Sequence, residues 1–209
     1  FFSTETAMPT EPQAGSFSDE TKNHSYLKRL PPEFYRGQAY VHWSLTIADR
    51  KTGWLRPIFL YRFRELLTHT AFRYGLCCPM FVLMPDHLHM IWAGIFDGSD
   101  QLSAMKHFRT RLNDSLKALD FALQPQPFDR VLKDNQRTEI AFAEVCDYIA
   151  RNPERAGLVA DDDYASYPYS GCLVPGYPEL KPFAGDYWTR YWRTYSYLAK
   201  NGLVRLKDT

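Results

Sequence analysis

Residues 84–92 read MPDHLHMIW, and this stretch decides the fold. The residues on either side of the histidines are mostly apolar, which is typical of a strand packed in a sheet. Inside that run, His87 and His89 stand at alternate positions. Successive side chains of a strand point to opposite faces, so we expect both imidazoles on one face and Leu88 on the other. Two imidazoles placed this way can share one divalent cation.

Two other interpretations of the histidine pair stay open at this point. His87 and His89 can be two unrelated polar positions on a half-exposed strand. They can also belong to a zinc site, although the chain has no HExxH motif and no cysteine pair at zinc-finger spacing to supply further ligands.

The regions around this stretch alternate between strand and helix patterns. Strands are predicted at 39–47, 77–85 and 87–94, and helices at 58–74, 99–123, 138–159 (with a break at Pro153) and 186–202. Residues 124–132 are interpreted as a proline-broken connection. The order strand, helix, two strands, helix, helix predicts an α+β sandwich, with helices on one or both faces of an antiparallel sheet.

Length and composition limit the class of protein. The chain has 209 residues and a formal net charge of +1, which suits one domain and gives no argument for nucleic acid. Four cysteines without a CxxC pair predict buried thiols rather than a disulfide framework. The apolar runs are too short to cross a bilayer, and the first 25 residues lack the pattern of a signal peptide. We therefore expect a cytoplasmic protein without membrane partners.

A second informative stretch is EVCDYIARNPERAGLV, residues 144–159. Helical spacing places Tyr148 at the edge of an apolar stripe, where its ring can lean on the core while its hydroxyl reaches a cleft. Asn152, Arg151 and Arg155 follow on or near the same face. The plain alternative is that Tyr148 only packs and that Asn152 caps the next helix.

Together the two stretches resemble the single-tyrosine HUH transposases, and most closely the REP-associated tyrosine transposases of bacterial chromosomes. The resemblance runs from about Tyr40 to about Cys172 and includes PFDRVLKD (127–134) and YPYSGC (167–172). It implies a ferredoxin-like α/β sandwich with a central antiparallel sheet flanked by helices. One departure is that many relatives carry an acidic-His pair where this chain has Asp129 and Arg130, which puts any role of that histidine in doubt.

The resemblance also assigns roles to residues. His87 and His89 would hold Mg²⁺ or Mn²⁺, Asn152 would be a polar third ligand, and Tyr148 would be the nucleophile. The implied activity is nicking and joining of single-stranded DNA next to a hairpin or palindromic repeat, through a 5′-phosphotyrosine that needs no ATP. The implied enzyme would act as a monomer or homodimer at the bacterial nucleoid.

Basic side chains could line a groove for the DNA backbone, although solvated helix faces are the plain alternative. The candidates are Lys106, Arg109, Arg111, Arg130, Lys133, Arg151 and Arg155. The aromatic segment WTRYWRTY (188–195) could stack bases, but docking of this helix on the sheet is the favoured interpretation.

We predict three parts: a mobile arm over residues 1–30, a catalytic domain over 31–175, and an aromatic extension over 176–209 that packs on it. Two competing functions stay open. One is a DNA-binding protein of the same fold that no longer cleaves, and the other is a metal-dependent hydrolase unrelated to DNA. Only the transposase requires Tyr148 for covalent attachment to DNA.

Overall fold

The computed structural model describes residues 29–203. The predicted mobile arm of residues 1–30 lies almost entirely outside this range, and its division from the rest of the chain stays a prediction. Within the described residues, no helix combines the length and the apolar character needed to span a bilayer.

Five strands, five α-helices and four short 3₁₀ helices make up the regular structure of residues 29–203. The strands are β1 (Tyr40–Thr46), β2 (Leu76–Leu83), β3 (His87–Gly94), β4 (Phe128–Val131) and β5 (Ser170–Leu173). The helices are α1 (Pro57–Tyr74), α2 (Gln101–Lys117), α3 (Glu139–Ala150), the short α4 (Asn152–Arg155) and α5 (Tyr187–Asn201).

The strands form one antiparallel sheet in the order β4-β1-β3-β2-β5. From β1 to β4 the chain runs β-α-β-β-α-β, which is the ferredoxin-like arrangement. β5 extends this sheet beyond β2. The predicted fold class, an α+β sandwich with a central antiparallel sheet, is therefore confirmed.

The sheet separates two apolar cores. Leu88, Met90 and Trp92 of β3 pack against α1 and α2 on one face. Ile91 and Ala93 of the same strand pack against α3 and α5 on the other face. Because side chains alternate along a strand, His87 and His89 lie on the face that α3 covers.

Helix α5 docks on the sheet through tyrosines. Tyr187, Tyr191 and Tyr195 are buried in the second core. The Tyr187 hydroxyl donates to the Pro79 carbonyl at 2.6 Å, and the Tyr195 hydroxyl donates to the Gly94 carbonyl at 2.7 Å. This helix is therefore a structural cover of the sheet, as the favoured interpretation of its aromatic residues predicts.

Two short edge strands differ from the sequence interpretation. The segment taken as a proline-broken connection contains β4, and the segment after the tyrosine helix contains β5. Each has only four residues and pairs with one neighbour, so neither has the long apolar alternation that identifies a strand. Tertiary pairing, rather than local propensity, forms them.

Removing Phe108 should destabilise the first core. Its ring is fully buried and packs against Phe63 and Trp92. Phe108→Ala should lower the free energy of unfolding by about 3–5 kcal/mol, measured by urea titration. Phe72→Ala is the matched control, because Phe72 is 49% exposed. This substitution should change the free energy of unfolding by about 0.5 kcal/mol or less. Equal urea midpoints for the two variants would contradict this packing.

Candidate active site

His87 begins β3, and its orientation is set by the turn before it. Its Nδ1 lies 2.6 Å from Oδ1 of Asp86, whose other oxygen accepts from Arg50 at 2.8 Å. Burial raises the pKa of the Asp86 carboxyl, but the hydrogen bonds from His87 and Arg50 outweigh burial and keep that pKa below its usual range. An ionised carboxylate only accepts hydrogen bonds, so Nδ1 of His87 is the donor in this contact, and in a neutral ring Nε2 is then the nitrogen with the lone pair.

His89 is held by a third histidine, on the neighbouring strand. Its Nδ1 lies 3.1 Å from Nε2 of His42 in β1. Both residues are on the α3 face of the sheet, since His42 alternates with the buried Val41 and Trp43 of the other core. A hydrogen bond from Nδ1 of His89 to His42 leaves Nε2 of His89 free to act as a ligand, in the way second-shell partners orient metal-binding histidines.

The two ligand nitrogens face one another. Nε2 of His87 and Nε2 of His89 are 3.0 Å apart. Bonds of about 2.1 Å at right angles would place two ligands of one ion about 3.0 Å apart, so this pair fits a divalent cation. Among residues 29–203, no group of three or more His, Cys, Asp and Glu side chains is arranged around a metal position.

Burial keeps two of the imidazoles neutral. It lowers the pKa of His89 to about 3, with further lowering by His42, His87 and Arg155. It also lowers the pKa of His42 to about 4, and Arg130 contributes in the same direction. The neutral imidazole is the form that binds metals, so His89 is a competent ligand at neutral pH.

Tyr148 lies near the end of α3 with its side chain turned outward. Phe142, Cys146 and Ile149 of the same helix are buried, whereas Tyr148 is 64% exposed. It lines a cavity of about 570 Å³ whose wall also includes His42. Tyr148 therefore borders a common space with His42, which is one end of the histidine row formed by His42, His89 and His87.

Arg155 of α4 contacts both the ring and the backbone of Tyr148. Its guanidinium carbon stands 4.0 Å from the centre of the Tyr148 ring, and its Nη2 donates to the Tyr148 carbonyl at 2.7 Å. The same guanidinium is close enough to His89 to lower the pKa of that imidazole. Arg155 is thus close both to the phenol ring and to His89.

Asn152 bonds to its own helix turn in this structure. Its Nδ2 donates to the Ile149 carbonyl at 2.7 Å, and its Oδ1 accepts from Arg155 at 3.0 Å. Its proposed part as a third metal ligand stays a prediction.

Arg151 does not converge with Arg155. It contacts the carboxylates of Asp147, Glu154 and Asp162 at 3.0–3.2 Å and lies over the Tyr164 ring. Its charge is balanced by these acids, so it ties the end of α3 to the following loop.

The basic residues of α2 lie on the opposite side of the sheet from the histidines. Lys106 and Arg109 line a separate cavity of about 400 Å³ together with Arg29. Arg111 is exposed on the same helix. The predicted basic residues therefore do not line a single groove.

One of the predicted basic residues does lie beside His42. Arg130 is the register partner of His42 across β1 and β4, and it lines the Tyr148 cavity. Lys133 is exposed just beyond β4, where the chain turns toward α3.

Sequence reasoning missed His42, Asp86 and Arg50. The signal for His42 was present, because it alternates with Val41 and Trp43 in an apolar strand, as His87 and His89 do in theirs. Nothing in the sequence shows which strand neighbours β3, so the third imidazole could not be placed. Asp86 was interpreted only as part of the break between β2 and β3.

An antiparallel ferredoxin-like sheet with a His-x-His pair on a central strand and an exposed tyrosine on a covering helix agrees with the class that the motifs resemble. No protein-family profile and no curated protein matches this sequence. Among solved structures, the chain is similar to a REP-associated tyrosine transposase bound to a REP hairpin. The TM-score is 0.57 at 17% identity, covering 70% of this chain and 81% of the other. At that identity the likeness is one of fold.

Acid should destabilise the protein through the histidine row. Unfolded histidine has a pKa of about 6.5, whereas those of His42 and His89 are about 4 and about 3 in the fold. Below pH 6.5 the unfolded chain therefore binds protons that the folded chain does not, and stability falls as the pH drops toward 4. Between pH 7 and pH 5, with chelator present, we expect a loss of about 1–3 kcal/mol in the free energy of unfolding.

Paired variants separate this effect from general acid denaturation. Replacing both His42 and His89 with Gln should flatten the pH dependence of the free energy of unfolding. His69→Gln, which changes an exposed histidine of α1, should leave this pH dependence unchanged. The same slope in the double variant and the wild type would contradict the assignment.

Proposed function

We propose that this protein is a metal-dependent transposase that nicks and joins single-stranded DNA beside a hairpin, using Tyr148 as its nucleophile. The observation that carries the proposal is the shared cavity. Tyr148 and His42 both line it, and His42 is hydrogen-bonded to one of two histidines whose Nε2 atoms face each other at 3.0 Å. The fold likeness to a transposase bound to a hairpin supports the same function.

The chemistry is a transesterification. The Tyr148 oxygen forms a bond to the phosphorus, and the bond from phosphorus to the 3′ oxygen breaks. The phenol gives up its proton to solvent, and the leaving 3′ oxygen takes one up. The products are a 5′-phosphotyrosine and a free 3′-hydroxyl, and the reverse reaction joins a new 3′-hydroxyl to the same phosphate.

The residues around Tyr148 would prepare this step. Arg155 holds the ring through its face and through the backbone carbonyl, so the phenol keeps one orientation. His87 and His89 would hold Mg²⁺ or Mn²⁺, which when bound supplies Lewis-acid polarisation of a phosphate oxygen. Arg130 and Lys133 would contact the DNA backbone on this side of the sheet.

Covalent attachment is the direct test of the nucleophile. The wild type is incubated with labelled hairpin DNA carrying a single-stranded flank and Mn²⁺, then run on a denaturing protein gel. We expect a labelled band at the protein's mass that is absent with EDTA and in Tyr148→Phe. Tyr61→Phe is the matched control, since Tyr61 is also exposed on a helix, and it should keep the band.

Other outcomes of this assay identify the competing functions. DNA retained in a mobility-shift assay without any adduct would indicate a binding protein that no longer cleaves. Metal-dependent cleavage that survives Tyr148→Phe would indicate a hydrolase and would overturn the proposed nucleophile.

His42 should control metal affinity without binding the metal. His42→Ala removes the partner of His89 Nδ1, so the ring loses its fixed orientation and Mn²⁺ affinity should fall about 10–100-fold in calorimetric titration. His69→Ala, on the exposed face of α1, should leave the affinity unchanged. Unaltered Mn²⁺ binding in His42→Ala would show that the third histidine has no positioning role.

A further inference from the structure

A second cavity, of about 400 Å³, lies behind the sheet, on the face opposite the histidines. It is bordered by α2, by the connection that leads into β4 and by Arg29. Arg29, Lys106 and Arg109 give its lining three cations, and among residues 29–203 none of the lining side chains is acidic. Like charges placed around one space repel one another, and an anion bound between them relieves that repulsion.

The protein compensates the charge of Arg109 only in part. Its Nη2 donates to the Gln124 carbonyl at 2.6 Å, whereas its Nε is buried without a hydrogen-bond partner within residues 29–203. Burial and the neighbouring charge of Arg29 both lower the pKa of its guanidinium, and no carboxylate of the described chain counteracts them. A half-buried guanidinium without a counter-charge is stabilised by an anion that binds beside it.

Arg29 and Lys106 complete the cationic lining. Nε of Arg29 donates to Oδ1 of Asp129 at 2.7 Å, and the other carboxylate oxygen accepts from the Tyr35 hydroxyl, so this arginine is anchored to β4. Its two terminal amino groups make no hydrogen bond to residues 29–203 and stay available to a ligand. Lys106 precedes Arg109 by one helical turn, is exposed and forms no ion pair within the described residues. Guanidinium groups bind phosphate in a planar, two-pronged geometry, and an ammonium adds a point charge.

The same cavity has an amide donor and an apolar wall. Oδ1 of Asn113 accepts from the Leu123 backbone N–H at 2.9 Å, which leaves the Nδ2 amino group of this amide as a donor. Leu102, Met105 and Pro127 line another part of the cavity. An apolar wall beside the cations favours a phosphate that is attached to an organic group. The volume also lies within the range of about 300–1,000 Å³ that is typical of small-molecule sites.

We propose that this cavity binds a small, multiply charged phosphorylated molecule, such as a phosphate monoester or a diphosphate. Arg29, Lys106 and Arg109 contact the phosphate oxygens, and the organic group lies against Leu102 and Met105. A nucleic-acid backbone carries a single charge on each phosphodiester and is bound along an open groove, whereas these cations surround one space. The proposal is independent of the function of the histidine face, because none of these residues lines the Tyr148 cavity.

Calorimetric titration of metal-stripped protein in chelator-free buffer tests the proposal. The probes are pyrophosphate, ADP and dimethyl phosphate, which is a singly charged diester. Pyrophosphate should bind at least about tenfold more tightly than dimethyl phosphate, because it is matched to several cations at once. ADP should bind at least as tightly as pyrophosphate, since its organic group gains the apolar wall. The difference between pyrophosphate and dimethyl phosphate should shrink at high salt.

Variants of exposed residues locate the binding. Lys106→Gln and Arg29→Gln should each weaken pyrophosphate binding about tenfold, whereas Lys106→Arg should retain it. Arg111→Gln is the matched control, because Arg111 is an exposed cation of the same helix that does not line the cavity, and it should leave the affinity unchanged. Urea midpoints equal to that of the wild type would show that Lys106→Gln keeps the fold.

Two results would overturn the phosphate site. One is equal affinity for pyrophosphate and dimethyl phosphate, and the other is pyrophosphate binding that survives both Lys106→Gln and Arg29→Gln.

A competition arm with hairpin DNA separates the two possible sources of phosphate. Hairpin affinity that is unchanged in Lys106→Gln would support a site for small molecules. A hairpin that displaces pyrophosphate and loses affinity in Lys106→Gln to the same extent would make the cavity part of a DNA surface and overturn the proposal. A protein that binds pyrophosphate but no hairpin would overturn the proposed function and leave this site standing.

Discussion

The carboxylate of Asp86 determines which nitrogen of His87 carries a hydrogen, and the candidate site follows from that constraint. With Nδ1 of His87 bound to Asp86 and Nδ1 of His89 directed at His42, the two Nε2 atoms are left facing one another at 3.0 Å. Where Nδ1 of His89 donates to His42, both Nε2 lone pairs point at one position, which is the arrangement that two ligands of one cation require. The proposed metal site therefore depends on the hydrogen bonds made by the two Nδ1 atoms rather than on a cluster of acidic residues.

Strand alternation explains why the chemistry can sit in the middle of a packed protein. Every second residue of β1 and β3 enters the core beneath α1 and α2, which holds the strands in place. The remaining positions face α3, and near the start of β3 this face carries imidazoles instead of apolar groups. A rigid sheet therefore positions the histidines, while the tyrosine stands on a helix that packs over the same face.

The sequence allowed prediction of features that depend on local periodicity. The histidine pair on one strand face, the helices and the α+β class could be predicted because each follows from a spacing of two or of 3.6 residues. The third histidine could not, since strand order is set by contacts distant in sequence. The same limit applies to β4 and β5, to the carboxylates around Arg151, and to the position of Lys106 and Arg109 behind the sheet. The resemblance to REP-associated tyrosine transposases predicted the fold correctly.

The edge position of β4 has a consequence for how the two sides of the cavity move. Strands β1 and β3 are paired on both sides, so their amides should exchange hydrogen with solvent only when the whole domain opens. β4 has four residues and pairs only with β1, so its outward amides should exchange through local fraying. One wall of the Tyr148 cavity therefore belongs to the central strand β1, and another belongs to the edge strand β4, which can fray locally. In the proposed function, β4 is the wall that DNA would displace, while β1 and β3 keep the histidines at their spacing.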